Sequence, residues 1–170
     1  MQGKPGVYYS TDNGVSWLNI TPTTFPLQHS RSVVELAPSS ENLVYIFTNT
    51  GQNKTSNTDS TKTVEKLALH KVNLNSGESF DLSNNLPEFD TYKGTAQTQN
   101  NFNMALAVSP SDTNLVFLGG VSLFRSRTGF SSANSEWVGG YNIQNHHADN
   151  HALVFDPNNA ERLWSSTRGW

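Results

Sequence analysis

Apolar residues in this chain fall into short runs separated by polar turns, and no stretch keeps the spacing of an amphipathic helix. One unit recurs three times. Val33 to Ala37 leads through Pro38 and Ser39-Ser40-Glu41-Asn42 into Leu43 to Phe47. Met104 to Ser109 leads through Pro110 and Ser111-Asp112-Thr113-Asn114 into Leu115 to Leu118, and Ala152 to Asp156 leads through Pro157 and Asn158-Asn159-Ala160-Glu161 into Arg162-Leu163-Trp164. Each unit predicts two strands joined at a proline that removes a ladder donor, followed by residues suited to a surface turn.

The three prolines lie 72 and then 47 residues apart. The second interval fits one blade of a β-propeller, and the first fits a blade carrying an insertion. Residues 49–66 are rich in Asn, Thr, Ser, Gly, Gln and Lys, with Val64 alone apolar, and are expected to form a long exposed loop. The strand map then gives half a blade over 1–25 (strands 6–9 and 15–20) and a blade over 31–90, with outer strands 67–74 and 78–82. A further blade covers 102–143, with strands near 123–125 and 136–138, and a half blade covers 149–170. The expected fold class is all-β, a partial propeller of four-stranded antiparallel blades within one domain. Such an arc falls short of a closed ring of 4–8 blades and would expose strand edges, so the chain reads as part of a larger protein.

Residues 8–17, Tyr8-Tyr9-Ser10-Thr11-Asp12-Asn13-Gly14-Val15-Ser16-Trp17, are the most specific motif. Asp12 is suited to accept backbone N–H groups of its own turn, Gly14 to take a positive φ, and Trp17 to fold back over the turn. The pattern Ser10-x-Asp12-x-Gly14-x-x-Trp17 resembles the Asp-box, or BNR repeat, of sialidases, xyloglucan-degrading glycoside hydrolases, sortilin-type receptors and many secreted β-propellers. The resemblance implies a propeller in which this box is a structural staple, and a secreted or cell-surface setting. Later copies depart from it. Ser126-Arg127-Thr128-Gly129-Phe130 places Thr128 at the Asp position, with Trp137 further on. Leu74 to Phe80 keeps Gly77 but no Asp, and Thr167-Arg168-Gly169-Trp170 has Arg168 where bacterial members often carry an acid.

Composition narrows the partners. The 170 residues carry a net charge of −3, a pI near 5.9 and only 15% charged residues, which gives no electrostatic reason to expect nucleic acid. Without cysteine, no disulfide or thiolate metal site can form. No apolar run reaches the ~20 residues of a membrane span, and residues 1–6 lack the apolar core of a signal peptide.

Candidate chemistry centres on His146-His147-Ala148-Asp149-Asn150-His151. Large bacterial Asp-box propellers often show a similar His-x-Asp-x-His segment before an innermost strand. If extended, the segment turns His147, Asp149 and His151 to one face, where they could bind Zn²⁺ or another divalent metal. The alternatives are a polar plug in which Asp149 orients His146, His147 and His151, ligand binding by these histidines, or a catalytic role for Asp149. A glycosidase needs two facing carboxyls; the candidates are Asp149, Asp90, Glu88, Glu35 and Asp156, with Glu35 expected to alternate outward and Asp156 to sit in a turn. Arg31, Arg125, Arg127, Arg162 and Arg168 form no triad suited to a sialidase substrate. There is no nucleophile elbow, phosphate loop or redox motif. Tyr8, Tyr9, Tyr92, Tyr141, Trp137, Trp164 and Trp170 serve either as core between blades or as sugar-stacking platforms. Asn19-Ile20-Thr21 and Asn53-Lys54-Thr55 are sequons. The expected function is a non-catalytic scaffold that binds a polysaccharide or protein ligand together with the remaining blades of the same protein. The alternative is part of a sialidase- or xyloglucanase-like glycoside hydrolase.

Overall fold

The computed structural model describes residues 5–88 and 96–168; Asp90, Tyr92, Gly169 and Trp170 lie outside the described residues. The chain is all-β. Strands β1 (Tyr8–Tyr9) and β2 (Leu18–Asn19) pair as a short first sheet. The second sheet holds β3 (Arg31–Ala37), β4 (Ser40–Thr55), β5 (Thr63–Asn73) and β6 (Ser79–Asp81); the third holds β7 (Ala105–Val108), β8 (Val116–Gly119), β9 (Leu123–Ser126) and β10 (Ser135–Gly139). Both are antiparallel meanders in sequence order, and β11 (Asn150–Asp156) pairs with β12 (Asn159–Thr167) as a fourth sheet. A 3-10 turn, Ser83–Asn85, follows β6.

Alternation along the strands packs each sheet on the next. In β4, Val44 and Ile46 turn toward the first sheet and meet Val7, Ile20 and Phe25, while Tyr45 and Phe47 turn the other way. There they join Ala37, Leu69, Leu106, Val108, Leu118, Phe124 and Phe130 in the largest cluster. The opposite face of the third sheet, Ala105, Ala107 and Leu123, packs on Leu153, Phe155 and Leu163 of the fourth. Strands buried on both faces read as continuous apolar runs, which is why β4 and β7 look unbroken in the sequence. Each fully buried side chain such as Phe47, Leu69 or Leu118 contributes about 1.5–3 kcal/mol.

The topology creates two distinct edges. Pro38, Pro110 and Pro157 turn the chain at one edge, where third-to-fourth strand turns also lie; the turns touch, Leu74 N–H donating to Asn42 O at 2.7 Å and Gly129 N–H to Asn114 O at 2.6 Å. At the opposite edge lie the segments leading into β3, β7 and β11, together with the β4–β5 hairpin tip.

Two expectations are corrected here. Residues 49–66 are largely strand: β4 runs on to Thr55 and pairs with β5 through Asn53↔Glu65, Lys54↔Val64 and Thr55↔Thr63. The polar side chains disguise a ladder held by backbone bonds, with only the tip at 56–62 looping. Glu88 braces that tip by accepting from Lys54 Nζ, Asn57 N–H (2.6 Å) and Asn57 Nδ2 (2.8 Å). Burial raises its carboxyl, but those donors outweigh it and leave the pKa lowered. Glu35, expected outward, shares the inward face with Val33 and Ala37, while its neighbours Val34 and Leu36 are exposed. Burial pushes the Glu35 carboxyl up to about 7.

Candidate functional site

The Ser10–Trp17 hairpin is stapled by side chains. Ser10 Oγ accepts from Gly14 N–H at 2.8 Å and donates to Asp12 Oδ1 at 2.7 Å, while Asp12 accepts Ser16 N–H at 2.9 Å and the Ser16 hydroxyl at 2.5 Å. Asn13 and Gly14 take positive φ (57° and 86°), which Asn tolerates and Gly takes without cost. The bonds from Ser16, then that from Ser10, hold the Asp12 carboxyl down at about 2. Trp17 does fold back, donating its indole N–H to Gly14 O at 3.1 Å, but remains 61% exposed.

The same geometry recurs between β9 and β10. Ser126 Oγ accepts Phe130 N–H at 2.8 Å, matching Ser10 and Gly14, and Thr128 meets Ser132 at 3.2 Å, matching Asp12 and Ser16. Gly129 and Phe130 repeat the two positive φ values, 60° and 59°. The degenerate copy has Gly one position early, so Phe130 occupies the second left-handed position with its ring fully buried. The hydroxyls and the core replace the lost carboxylate and glycine.

The histidine segment does not form the expected face. Asn145 and Asp149 have positive φ (69° and 67°), and β11 begins only at Asn150, so the alternation of an extended strand does not apply to 146–149. His146 Nε2 meets Ser165 Oγ at 3.1 Å, its ring lying so close to Gly139 that a Cβ there would fall 2.4 Å from Nδ1. His147 Nδ1 donates to Ala148 O at 2.9 Å, and its ring sits 6.2 Å from that of Tyr141. His151 sets its ring edge-on to Phe102 at 4.9 Å. Asp149 accepts from Asn103 Nδ2 at 2.8 Å rather than orienting a histidine. The predicted His147-Asp149-His151 metal group is therefore corrected: among the described residues no three His, Asp or Glu side chains gather in a metal-ligand arrangement.

The segment instead ties two sheets together. Asp149 N–H donates to Val121 O at 2.9 Å, and Asn150 N–H and Nδ2 both donate to Gly120 O at 3.0 Å. Asn150 is fully buried, and it sits where a Cβ on Gly119 would come within 2.7 Å of its own Cβ. Among the other carboxyl candidates, Asp156 pairs with Arg162 at 3.1 Å at the proline edge, and Glu88 is engaged at the hairpin tip. Tyr8, Tyr141 and Trp164 are exposed, whereas Trp137 packs against the main core.

A polar network at the lead-in edge escaped the sequence reading. Glu65 Oε1 accepts Asn100 N–H at 2.8 Å, and Oε2 accepts the N–H of Thr98 and its hydroxyl (3.0 Å). Thr98 Oγ1 in turn accepts from Asn49 Nδ2 at 2.7 Å and from Asn101 N–H at 3.1 Å. Arg31 Nη1 donates to Asn101 O at 2.7 Å. These bonds hold three successive left-handed residues, Gln99, Asn100 and Asn101 (φ 49°, 56° and 74°). The signal available in the sequence was the run Gln97-Thr98-Gln99-Asn100-Asn101, since Asn tolerates this conformation best among side-chain-bearing residues.

No protein-family model matches the chain, and no curated protein matches it.

Proposed function

We propose that this chain is a segment of an Asp-box-type β-propeller that acts as a non-catalytic scaffold for a glycan or protein ligand, in a secreted or cell-surface protein. The observation that carries the reading is the paired staple: two turns with the same serine hydroxyl acceptor and two successive positive-φ residues, one joining β1 to β2 and the other β9 to β10, in sheets stacked in chain order. Further blades of the same protein are the partners that suit the outer face of the fourth sheet, where Val154 and its cross-strand neighbour Trp164 are 59% and 61% exposed. The engagement of Asp149 by Asn103 and of Asp156 by Arg162 supports structural over hydrolytic roles for these acids. The test applies the full chain to arrayed glycans and, in parallel, to soluble polysaccharides with a reducing-end assay. Binding without release of reducing ends is expected; sustained release refutes the scaffold reading.

A further inference from the structure

We infer that the lead-in edge carries a binding cleft for a neutral, polyhydroxylated ligand, an oligosaccharide of uncharged sugars, between the second sheet and the loop before β7. This rests on the glycan-binding form of the scaffold reading. The cleft has a volume of about 260 Å³ and is lined by Asn49, Gln52, Asn53, Glu65, Asn100 and Asn101, with Ser30 and Gly51 completing it.

Three observations select the ligand class. First, the wall is made of amides. Each carries a donor and an acceptor side by side, which matches vicinal hydroxyls that both give and take hydrogen bonds. Asn49 spends its amide on Thr98 and Gly51, and Gln52 meets Gln28 at 3.2 Å, whereas Asn53 and Asn100 make no side-chain hydrogen bond among the described residues. Second, the only charged side chain of the lining, Glu65, is committed to Thr98 and Asn100, and the lining contains no Lys or Arg. An anionic sugar would therefore find no guanidinium fork in the lining, Arg31 beside it being engaged by Asn101 O and Phe102 O, and a cationic ligand would have to compete with three established donors. Third, the loop is built in advance. The left-handed run 99–101 is pinned by Glu65, Thr98, Ser30 and Arg31, so its order does not have to be created on binding. The next residue, Phe102, lies outside this lining; it is 54% exposed and set edge-on to His151.

The test uses the full chain, with cellohexaose, mannohexaose and xylohexaose as neutral probes and a sialylated trisaccharide as the charged control, each titrated calorimetrically. The variant is Asn53→Ala combined with Asn100→Gly, glycine being chosen because it keeps the positive φ and the N–H that Glu65 holds. A second variant, Phe102→Ala, removes an exposed ring on the same loop outside the lining and serves as the control. At least one neutral probe is expected to bind, with affinity falling at least 10-fold in the Asn53 and Asn100 double variant and less in Phe102→Ala, while the melting temperature stays within about 2 °C. A neutral probe that binds with unchanged affinity in the Asn53 and Asn100 double variant overturns the cleft and leaves glycan binding standing. Binding of the sialylated control alone overturns the cleft's selectivity and hence the proposal. If neither these probes nor the glycan array yields binding, the glycan-binding reading falls and the cleft with it.

Discussion

Phe130 gives the sharpest test of the second staple. It stands at φ 59° where the Ser10–Trp17 hairpin has glycine, yet its side chain is fully buried in the main cluster. Truncation to alanine removes the ring and leaves a cavity, at a cost of about 3–5 kcal/mol. Alanine also retains the left-handed strain, about 1–2 kcal/mol for a residue with a Cβ. Phe130→Gly leaves nearly the same cavity but releases that strain, offset by glycine's greater freedom in the unfolded chain, about 0.5–1 kcal/mol. The glycine variant should therefore be more stable than the alanine variant by about 0.5–1 kcal/mol, the reverse of the usual order. Phe124, buried in the strand β9, provides the control: there Gly should be less stable than Ala by about 0.5–1 kcal/mol. Urea unfolding of the four variants, followed by tryptophan fluorescence and far-UV circular dichroism, reads both differences. If Phe130→Gly is the less stable of its pair, the assignment of Phe130 to the glycine position of a staple is wrong.

Glu35 predicts a pH dependence. Its folded pKa, near 7, lies above the ordinary 4.5, so the folded chain holds its proton longer; stability is greatest below about 4.5, falls as pH rises through 7 and then levels. The full shift corresponds to about 3 kcal/mol, and partial solvent access reduces it to about 1–2 kcal/mol. Glu35→Gln should remove that slope in urea midpoints measured from pH 5 to 8, and an unchanged slope rejects the inward placement. Asn150→Ala should cost about 1–3 kcal/mol, by deleting the buried bond to Gly120 O, and lower the melting temperature by several degrees. A change under 1 °C would show that Asn150 is not the tie between the third and fourth sheets. The separate neighbours of His147, Asp149 and His151 predict that Zn²⁺ leaves the melting temperature unchanged; a saturable rise of several degrees would restore the metal reading.

The hairpins at Pro38, Pro110 and Pro157 were legible because proline and apolar alternation both act locally, on the same few residues that form the turn. The Asp12 staple was legible for the same reason. What was hidden depends on longer reach. The polar stretch 49–66 carries no apolar alternation, yet its backbone continues the β4–β5 ladder and Glu88, 32 residues beyond Ser56, braces the tip. Glu35 was expected to alternate outward, but the register of β3 puts it on the face of Val33 and Ala37. The alternation assumed for His147, Asp149 and His151 failed because β11 begins only at Asn150 and Asp149 takes a positive φ, a turn of the backbone invisible to a pattern of residue types. Glu65 drew no notice because its partners at Thr98 and Asn100 lie 33 and 35 residues away.

The two edges of the stacked sheets also differ in how freely they can change. At the proline edge, neighbouring turns are hydrogen-bonded to one another, so lengthening one would pull on the next. At the other edge, β4 and β5 already project beyond their companions without disturbing the register of Val44 to Thr48. The molecule thus keeps a tied spine on one side and a margin for growth on the other. New binding loops could be grafted onto that margin, one hairpin at a time, while the stack beneath keeps its spacing.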